Sequence, residues 1–244
     1  KSEGSTVLFT LDKPCNISIE HDGDIYNNLQ LFTNPPETYV PDKESEDVLY
    51  FPPGYYTMED AVKLIKTYFT TALLGQVNVS SDKTLYISGG AVVDAYTAIG
   101  DAFDSGSGYI LKGASNIKIC GRGILNMQPW STDDGSRANT ACNNGIHFEN
   151  AANVEISDII LLNPGQAGIA GRSSENVKIN NVRLFSNMPW GDGINLYGVK
   201  NAEIKNCFLR TSDDSVSIYT NNNSTSDVTV EDCVLWADVA HGVN

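Results

Sequence analysis

The chain has 244 residues, 41% hydrophobic and 19% charged, with 30 Asp and Glu against 16 Lys and Arg for a formal charge of −14. That balance excludes a general nucleic-acid binder, which needs a basic footprint, and argues against adsorption to an anionic membrane. No apolar run approaches the ~20 residues needed to span a bilayer.

The start, Lys1-Ser2-Glu3-Gly4, is polar and reads as a mature or trimmed end without a signal peptide. Residues 5–33 read as short β segments, with Ile17 and Ile19 alternating against polar neighbours. A turn-rich stretch from Asn34-Pro35-Pro36-Glu37 to Pro41-Asp42-Lys43-Glu44 reads as a linker. Residues 1–47 are therefore expected to be an N-terminal β segment and linker, of the kind that ends a β-sandwich, and 48–244 the main domain. Val48-Leu49-Tyr50-Phe51 predicts a buried strand, stopped by Pro52-Pro53-Gly54. Thr57, with Asp60 three residues on and Ala61, Val62, Leu64 and Ile65 following, predicts one short helix. Leu85-Tyr86-Ile87 and Ala91-Val92-Val93 predict two more strands.

The second half repeats. Asn116-Ile117-Lys118-Ile119, Asn153-Val154-Glu155-Ile156, Asn176-Val177-Lys178-Ile179, Asn201-Ala202-Glu203-Ile204 and Asp227-Val228-Thr229-Val230 each start on Asn or Asp and then alternate apolar with polar. The steps between their leading residues are 37, 23, 25 and 26, the first being lengthened by an insertion at about 127–143. A second apolar segment follows each time, as in Val182-Arg183-Leu184-Phe185 and Cys207-Phe208-Leu209-Arg210. A third completes the unit: Gly145-Ile146-His147-Phe148, Gly168-Ile169-Ala170-Gly171, Gly193-Ile194-Asn195-Leu196 and Ser215-Val216-Ser217-Ile218. Three short strands per repeat with no helix between them predict an all-β fold, a parallel β-helix whose coils stack into one core. The leading Asn column is expected to be an inward amide ladder. Cys207 and Cys233 fall in a core column, so both are expected to be buried and unbridged. With Cys15, Cys120 and Cys142 they are too few and scattered for a disulfide scaffold or a metal site. No cofactor is expected. Asn16, Asn78, Asn222 and Asn223 sit in glycosylation sequons.

The residue before each third strand forms another column: Asn144, Ala167, Asp192, Asp214 and His241, with Asp213 beside Asp214. Residues one coil apart in sequence lie one rung apart in space, so three carboxylates and a histidine are expected on one outer patch. Carboxylates ~5 Å apart cannot all ionise freely, and one should be held protonated to higher pH. One proton donor beside an ionised base is the minimum for cleaving a glycosidic bond.

Trp190-Gly191-Asp192-Gly193-Ile194, Ser212-Asp213-Asp214-Ser215-Val216-Ser217-Ile218 and Ala240-His241-Gly242 together resemble the polygalacturonases of glycoside hydrolase family 28. That family has an Asn-x-Asp, an Asp-Asp and a Gly-His-Gly motif on consecutive coils of a right-handed parallel β-helix. Ile119-Cys120-Gly121-Arg122-Gly123-Ile124-Leu125 resembles its early Gly-x-Gly coil, and the resemblance spans about residues 48–244. It implies inverting hydrolysis without a metal. Asp213 would be the acid on the leaving oxygen, and Asp192 with Asp214 the pair that activates water. His241 would tune the acid or orient the sugar. Rung spacing is tighter than the ~6.5–9.5 Å usual for inversion, and this family is an exception to that rule. Trp190-Gly191 and Ala240 depart from its pattern, and its downstream Arg-Ile-Lys motif has no counterpart before Asn244. Further coils and a cap are expected after Asn244.

Trp190, Trp236 and Trp130, the last in the insertion, are candidates for stacking on sugar rings. Asn195 and Arg172 are candidates for holding hydroxyls or a carboxylate, and Lys200 is a weaker one. The expected partner is a polysaccharide or oligosaccharide outside the cell or in the periplasm, with a galacturonan or pectin first. Dextran is the alternative, because the related family 49 dextranases share the β-helix and the Asp pattern. A non-catalytic carbohydrate-binding β-helix is the rival outside enzymes. A lyase is weakened by the lack of an arginine in the acidic column.

Overall fold

Alternating apolar and polar residues give each coil three short strands, and each strand pairs in parallel with its counterpart one coil away. The structure is a computed structural model that describes residues 2–3, 6–64, 76–100, 103–104, 110–111, 113–127, 144–220 and 224–244. Trp130, Asp133, Asp134 and Cys142 of the insertion lie outside the described residues. The chain divides into two units, Lys1–Val40 and Pro41–Asn244.

In the first unit, Asn16–Ile19 pairs antiparallel with Leu29–Phe32, and Ile17 and Ile19 face Leu31 and Leu29. Asp22 and Gly23 in the connection have φ of 55° and 76°, which Asp tolerates and Gly adopts freely.

The second unit is a parallel β-helix. Among the described residues its first sheet runs from Val48–Phe51 through Thr84–Ile87, Ser115–Gly121, Ala152–Ser157, Glu175–Asn180 and Lys200–Lys205 to Ser226–Glu231. The second runs from Gly54–Tyr56 to Val234–Ala237, and the third from Gln76–Val79 to Val216–Tyr219. Inward positions stack like on like. Ile119, Ile156, Ile179 and Ile204 form one column, and Leu125, Leu161, Leu184, Leu209 and Leu235 another. Ile146, Ile169, Ile194 and Val216 form the third. The first two columns are buried except at Leu235 on the last rung, which packs against the core half-buried. Full burial of such a side chain contributes roughly 1.5–3 kcal/mol. A short helix, Met58–Leu64, starts where Thr57 Oγ1 accepts from the Asp60 amide at 3.2 Å and Asp60 Oδ2 accepts from the Thr57 hydroxyl at 2.8 Å. No described helix is long and apolar enough to cross a membrane.

The corners explain the leading Asn column. Asn116, Asn153, Asn176, Asn201 and Asp227 have φ between 54° and 60°, the left-handed region that short polar side chains tolerate best after glycine. Asp158, Asn181, Asn206 and Asp232 do the same at the next corner, with φ of 65°, 56°, 56° and 53°. Amides of the first column bond rung to rung: Asn153 Nδ2 to Asn116 Oδ1 at 2.9 Å, Asn176 to Asn153 at 3.1 Å, and Asn201 to Asn176 at 2.7 Å. The ladder is real, but it runs along the exposed surface, not inside. Each Asn precedes an inward residue (Ile117, Val154, Val177 or Ala202), so its own side chain points out.

Asn176→Ala therefore removes two cross-rung bonds and puts a Cβ-bearing residue without a local polar partner at positive φ. We expect a loss of about 1–3 kcal/mol in denaturant unfolding. Asn176→Gly is expected to recover about 1 kcal/mol of it by relieving the backbone alone. Equal losses for both variants would remove the backbone part of this account.

Cys207, buried, and Cys233, half-buried, occupy neighbouring rungs as free thiols. Cys207 Sγ donates to Lys205 O at 3.2 Å and Cys233 Sγ to Glu231 O at 3.1 Å.

Candidate active site

The third sheet carries the candidate residues on its outer face. Its strands Ile146–Glu149, Ile169–Arg172, Ile194–Tyr197 and Val216–Tyr219 are in register. The peptide just before each strand continues the ladder. Gly145 N donates to Ala167 O at 2.9 Å, Gly168 N to Asp192 O at 3.0 Å, Gly193 N to Asp214 O at 2.8 Å, and Ser215 N to His241 O at 2.9 Å. Asp192, Asp214 and His241 thus sit on three successive rungs, ~4.8 Å apart.

Glycine makes this approach possible. A Cβ on Gly193 would lie 2.1 Å from the Ser215 carbonyl oxygen, and one on Gly168 would lie 1.7 Å from Leu184 Cδ1.

The two stacked carboxylates live in different surroundings. Asp214 is 7% exposed. Its Oδ1 accepts from the His241 backbone amide and from His241 Nδ1, both at 3.0 Å. Its Oδ2 accepts from Asn244 Nδ2 at 2.7 Å and from the Ser217 hydroxyl at 3.3 Å. Burial alone raises the Asp214 carboxyl, but those four donors outweigh it and hold the group below the ordinary Asp range. Among the described residues Asp192 has one donor, Asn195 Nδ2 at 2.6 Å. Burial pushes Asp192 above the ordinary range; the Asn195 bond pulls it back, and the charges on Asp213 and Asp214 add to the rise. Asp213 lies half-buried in the turn before the fourth rung. Its Oδ1 accepts the Asp214 amide at 3.0 Å, and its own amide approaches Gly191 O at 3.4 Å. The His241 side chain stands 71% exposed.

Trp190 stands two residues before Asp192 in the chain. It is 67% exposed and held at φ 61° in a turn closed by Gly191 N to Met188 O at 2.9 Å. The Ser212 hydroxyl also donates to Met188 O, which ties this turn to the coil of Asp213. A bulky residue in the left-handed region costs about 1–3 kcal/mol, and such strain clusters at functional sites.

Further along the same face, Arg172, Tyr197 and Tyr219 occupy one column. The Tyr197 and Tyr219 rings stack at 4.2 Å and 4°. The Arg172 guanidinium caps Tyr197 at 4.1 Å from the ring centroid. Among the described residues it has no carboxylate ion pair. Trp236 stands apart, on the outer face of the second sheet. Its ring is covered by Arg210 at 4.4 Å, and Arg210 is held by Asp238 at 3.1 Å. Lys200 lines a groove with Asn150, Ser173 and Glu175 beyond the other ends of the third-sheet strands from the acids.

The structure also shows partners that the sequence reading missed. Asn244 and Ser217 hold Asp214, and both stand three positions after a member of the acidic column, as Asn195 does after Asp192. The tyrosines stand five positions after Asp192 and Asp214. Extending the column alignment by a few residues finds all of them.

The family model described as "Right handed beta helix region" matches residues 102–244. A polygalacturonase of Juniperus ashei is 25% identical over 141 residues, which cover 53% of this chain and 27% of that protein. An exopolygalacturonase of Arabidopsis thaliana, clone GBGE184, is 30% identical over 131 residues, covering 50% of this chain and 30% of that one. The chain thus spans less than a third of the length of either relative. Among solved structures, the PfbA surface adhesin of Streptococcus pneumoniae superposes with a TM-score of 0.55 at 16% identity, over 82% of this chain and 53% of that one. A glycosidase-like sequence and an adhesin on one fold mean that the side chains, not the coils, decide the chemistry.

Proposed function

The chain belongs to the right-handed β-helix family, and from that premise we propose that it is an inverting glycoside hydrolase of the polygalacturonase type. The observation that carries this reading is the pair of stacked carboxylates with opposite protonation tendencies. Asp214 is held ionised by four donors, while Asp192 is held above its ordinary range one rung away.

Two carboxyls one rung apart, one of them held firmly ionised, can hold an attacking water between them and take its proton. In this scheme Asp213 protonates the leaving glycosidic oxygen. Water sits between Asp192 and Asp214, and the ionised Asp214 takes its proton as the oxygen attacks the anomeric carbon. His241 donates to Asp214 through both its amide and its ring. It thereby fixes the base in position, and its exposed ring is free to meet the sugar. Trp190, exposed and two residues before Asp192, supplies an aromatic face.

The sequence likeness to polygalacturonases supports an α-linked galacturonan as substrate. So does Arg172. A chain with a formal charge of −14 needs a local cation to accept a uronate carboxylate, and Arg172 lies on the acidic face without an ion pair among the described residues. Such a substrate lies outside cells, so the reading implies an extracellular or periplasmic enzyme.

The test is reducing-end release from polygalacturonate and from dextran, with proton NMR of the first product. We expect cleavage of polygalacturonate alone and release of the β-anomer from the α-linkage. Cleavage of dextran alone would move the substrate to an α-glucan, and a first-formed α-anomer would replace inversion by retention. Silence on every glycan tried, from a folded chain, would leave a binding module.

A further inference from the structure

The glycine column that precedes the third-sheet strands is broken at one rung. Among the described residues it reads Gly145, Gly168, Gly193, Ser215 and Gly242. The exception falls on the coil of Asp213 and Asp214, directly after the two carboxylates. Ser215 has no exposed surface, so its hydroxyl needs a partner inside the protein. That partner is Thr211, also fully buried, whose Oγ1 lies 3.0 Å from Ser215 Oγ. Thr211 ends the strand Phe208–Thr211, and Ser215 leads into the strand Val216–Tyr219. The two hydroxyls therefore close the turn 212–214 from its buried side.

The hydrogens of this pair follow from one fixed acceptor. Thr211 Oγ1 donates to Asp213 O at 2.7 Å, and a carbonyl can only accept. The single Thr211 hydroxyl hydrogen goes there, so Ser215 is the donor to Thr211. The chain runs from the Ser215 hydroxyl through the Thr211 hydroxyl to the Asp213 carbonyl, and bonds in such a chain strengthen one another. Its end point matters, because the Asp213–Asp214 peptide has two polar ends. Thr211 holds the carbonyl. The N–H, on Asp214, donates to Asp213 Oδ1 at 3.0 Å. The peptide unit is planar, so holding its oxygen also aims its N–H. That N–H in turn holds the Asp213 carboxyl by Oδ1. When Asp213 is protonated, Oδ1 stays the acceptor and the proton sits on Oδ2.

We propose that Thr211 and Ser215 are positioning residues for Asp213, which fix through one peptide plane the carboxyl oxygen that carries the proton and the direction in which it points. Both are buried and act only through Asp213. This rests on the hydrolase reading above. In the step they serve, the bond between the anomeric carbon and the glycosidic oxygen breaks and its electron pair stays on that oxygen. The proton passes from Asp213 Oδ2 to the same oxygen, and Asp213 is left as a carboxylate with Oδ1 still on the Asp214 amide.

The test is reducing-end release by the full 244-residue chain from the glycan it cleaves, polygalacturonate or dextran, with kcat and KM read separately. Thr211→Val keeps the branched shape and removes the hydroxyl. It is expected to lower kcat about tenfold and to leave KM within about twofold. Thr211→Ser, which keeps the hydroxyl, should stay within about threefold of the parent. Ser215→Ala leaves Thr211 on the carbonyl and removes only the second bond, so a loss of about threefold is expected. Each hydroxyl-lacking variant is also combined with Asp213→Asn. Where the acid is already gone, the further loss should be less than about twofold, because the hydroxyls act through a group no longer there. Asn176→Ala, which is destabilised far from the turn, should leave kcat unchanged and so separates lost stability from lost positioning. Thermal unfolding checks that the variants are folded, and Ser215→Ala carries the test if Thr211→Val is not. Unchanged kcat in the folded hydroxyl-lacking variants, or a loss repeated in full on Asp213→Asn, would overturn the positioning role and leave the hydrolase standing. If the parent releases no reducing ends from either glycan, the hydrolase reading and this role fall together.

Discussion

Asp213→Asn is expected to lower reducing-end release from polygalacturonate by about 10²–10⁴-fold, the usual contribution of a positioned general acid. Asn is nearly isosteric, and it keeps an oxygen to accept the Asp214 amide that Asp213 Oδ1 accepts at 3.0 Å. The turn should therefore survive, and circular dichroism and the unfolding midpoint should stay within error of the parent. The effect should fall on kcat and leave KM nearly unchanged, because proton donation belongs to the transition state. The acid limb of the parent's rate profile belongs to the water-activating pair. Asp192 is held above the ordinary Asp range and must be ionised to act, so activity should fall on acidification at a higher pH than a free carboxylate would give. Asn195→Ala removes the donor that favours ionised Asp192, so it should push that limb higher still. A fully active Asp213→Asn chain would assign the proton to another group.

Gly193→Ala is expected to destabilise the fold by about 2–4 kcal/mol and to cost about 10²-fold in activity, through overpacking against backbone. The added Cβ would lie 2.1 Å from the Ser215 carbonyl oxygen, and a backbone atom cannot swing aside as a side chain can. The rungs must part, and with them go Gly193 N to Asp214 O at 2.8 Å and Ile194 N to Ser215 O at 2.9 Å. Those bonds set the spacing between Asp192 and Asp214, so stability and catalysis should fall together. Gly242 is the control, two rungs on in the same column. A Cβ there would meet Leu235 Cβ at 3.6 Å, an ordinary contact. Gly242→Ala should therefore stay within about 0.5 kcal/mol of the parent. Urea unfolding of both variants, read at constant slope, decides the matter. Equal effects at the two positions would mean that close packing is not why glycine stands at position 193.

The coil architecture was legible because its signal is redundant. Ile119, Ile156, Ile179 and Ile204 repeat one instruction on successive rungs, and any single departure is outvoted. The acidic column was legible for the same reason, since rung membership follows from counting. What counting does not give is the direction of a side chain at a corner. The Asn ladder was expected inside, yet a residue at positive φ beside an inward Ile or Val has to point away from the core. Nor does counting say which donors reach a carboxylate. Asn244 serves Asp214 across a rung, while Asn195 serves Asp192 within one. Trp236 shows the opposite case. Arg210 lies directly opposite it in register, so its covered face was open to the same alignment that found the acids. The turn of Trp190 was beyond reach, because nothing in Met188–Gly191 marks a tryptophan as the residue at φ 61°.

The glycines at 145, 168 and 193, one per rung in a single column, bear on how such a protein can change length. Inserting or deleting one residue near that column would push a side chain into a neighbouring carbonyl and shift every outer residue after it. Inserting or deleting a whole coil would do neither, because each new rung arrives with its own glycine, its own corner Asn and its own three outer positions. The natural unit of variation is therefore a full turn of about two dozen residues. A binding face of this kind can be lengthened or shortened like a ruler, one mark at a time, while the marks that carry the carboxylates stay where they are.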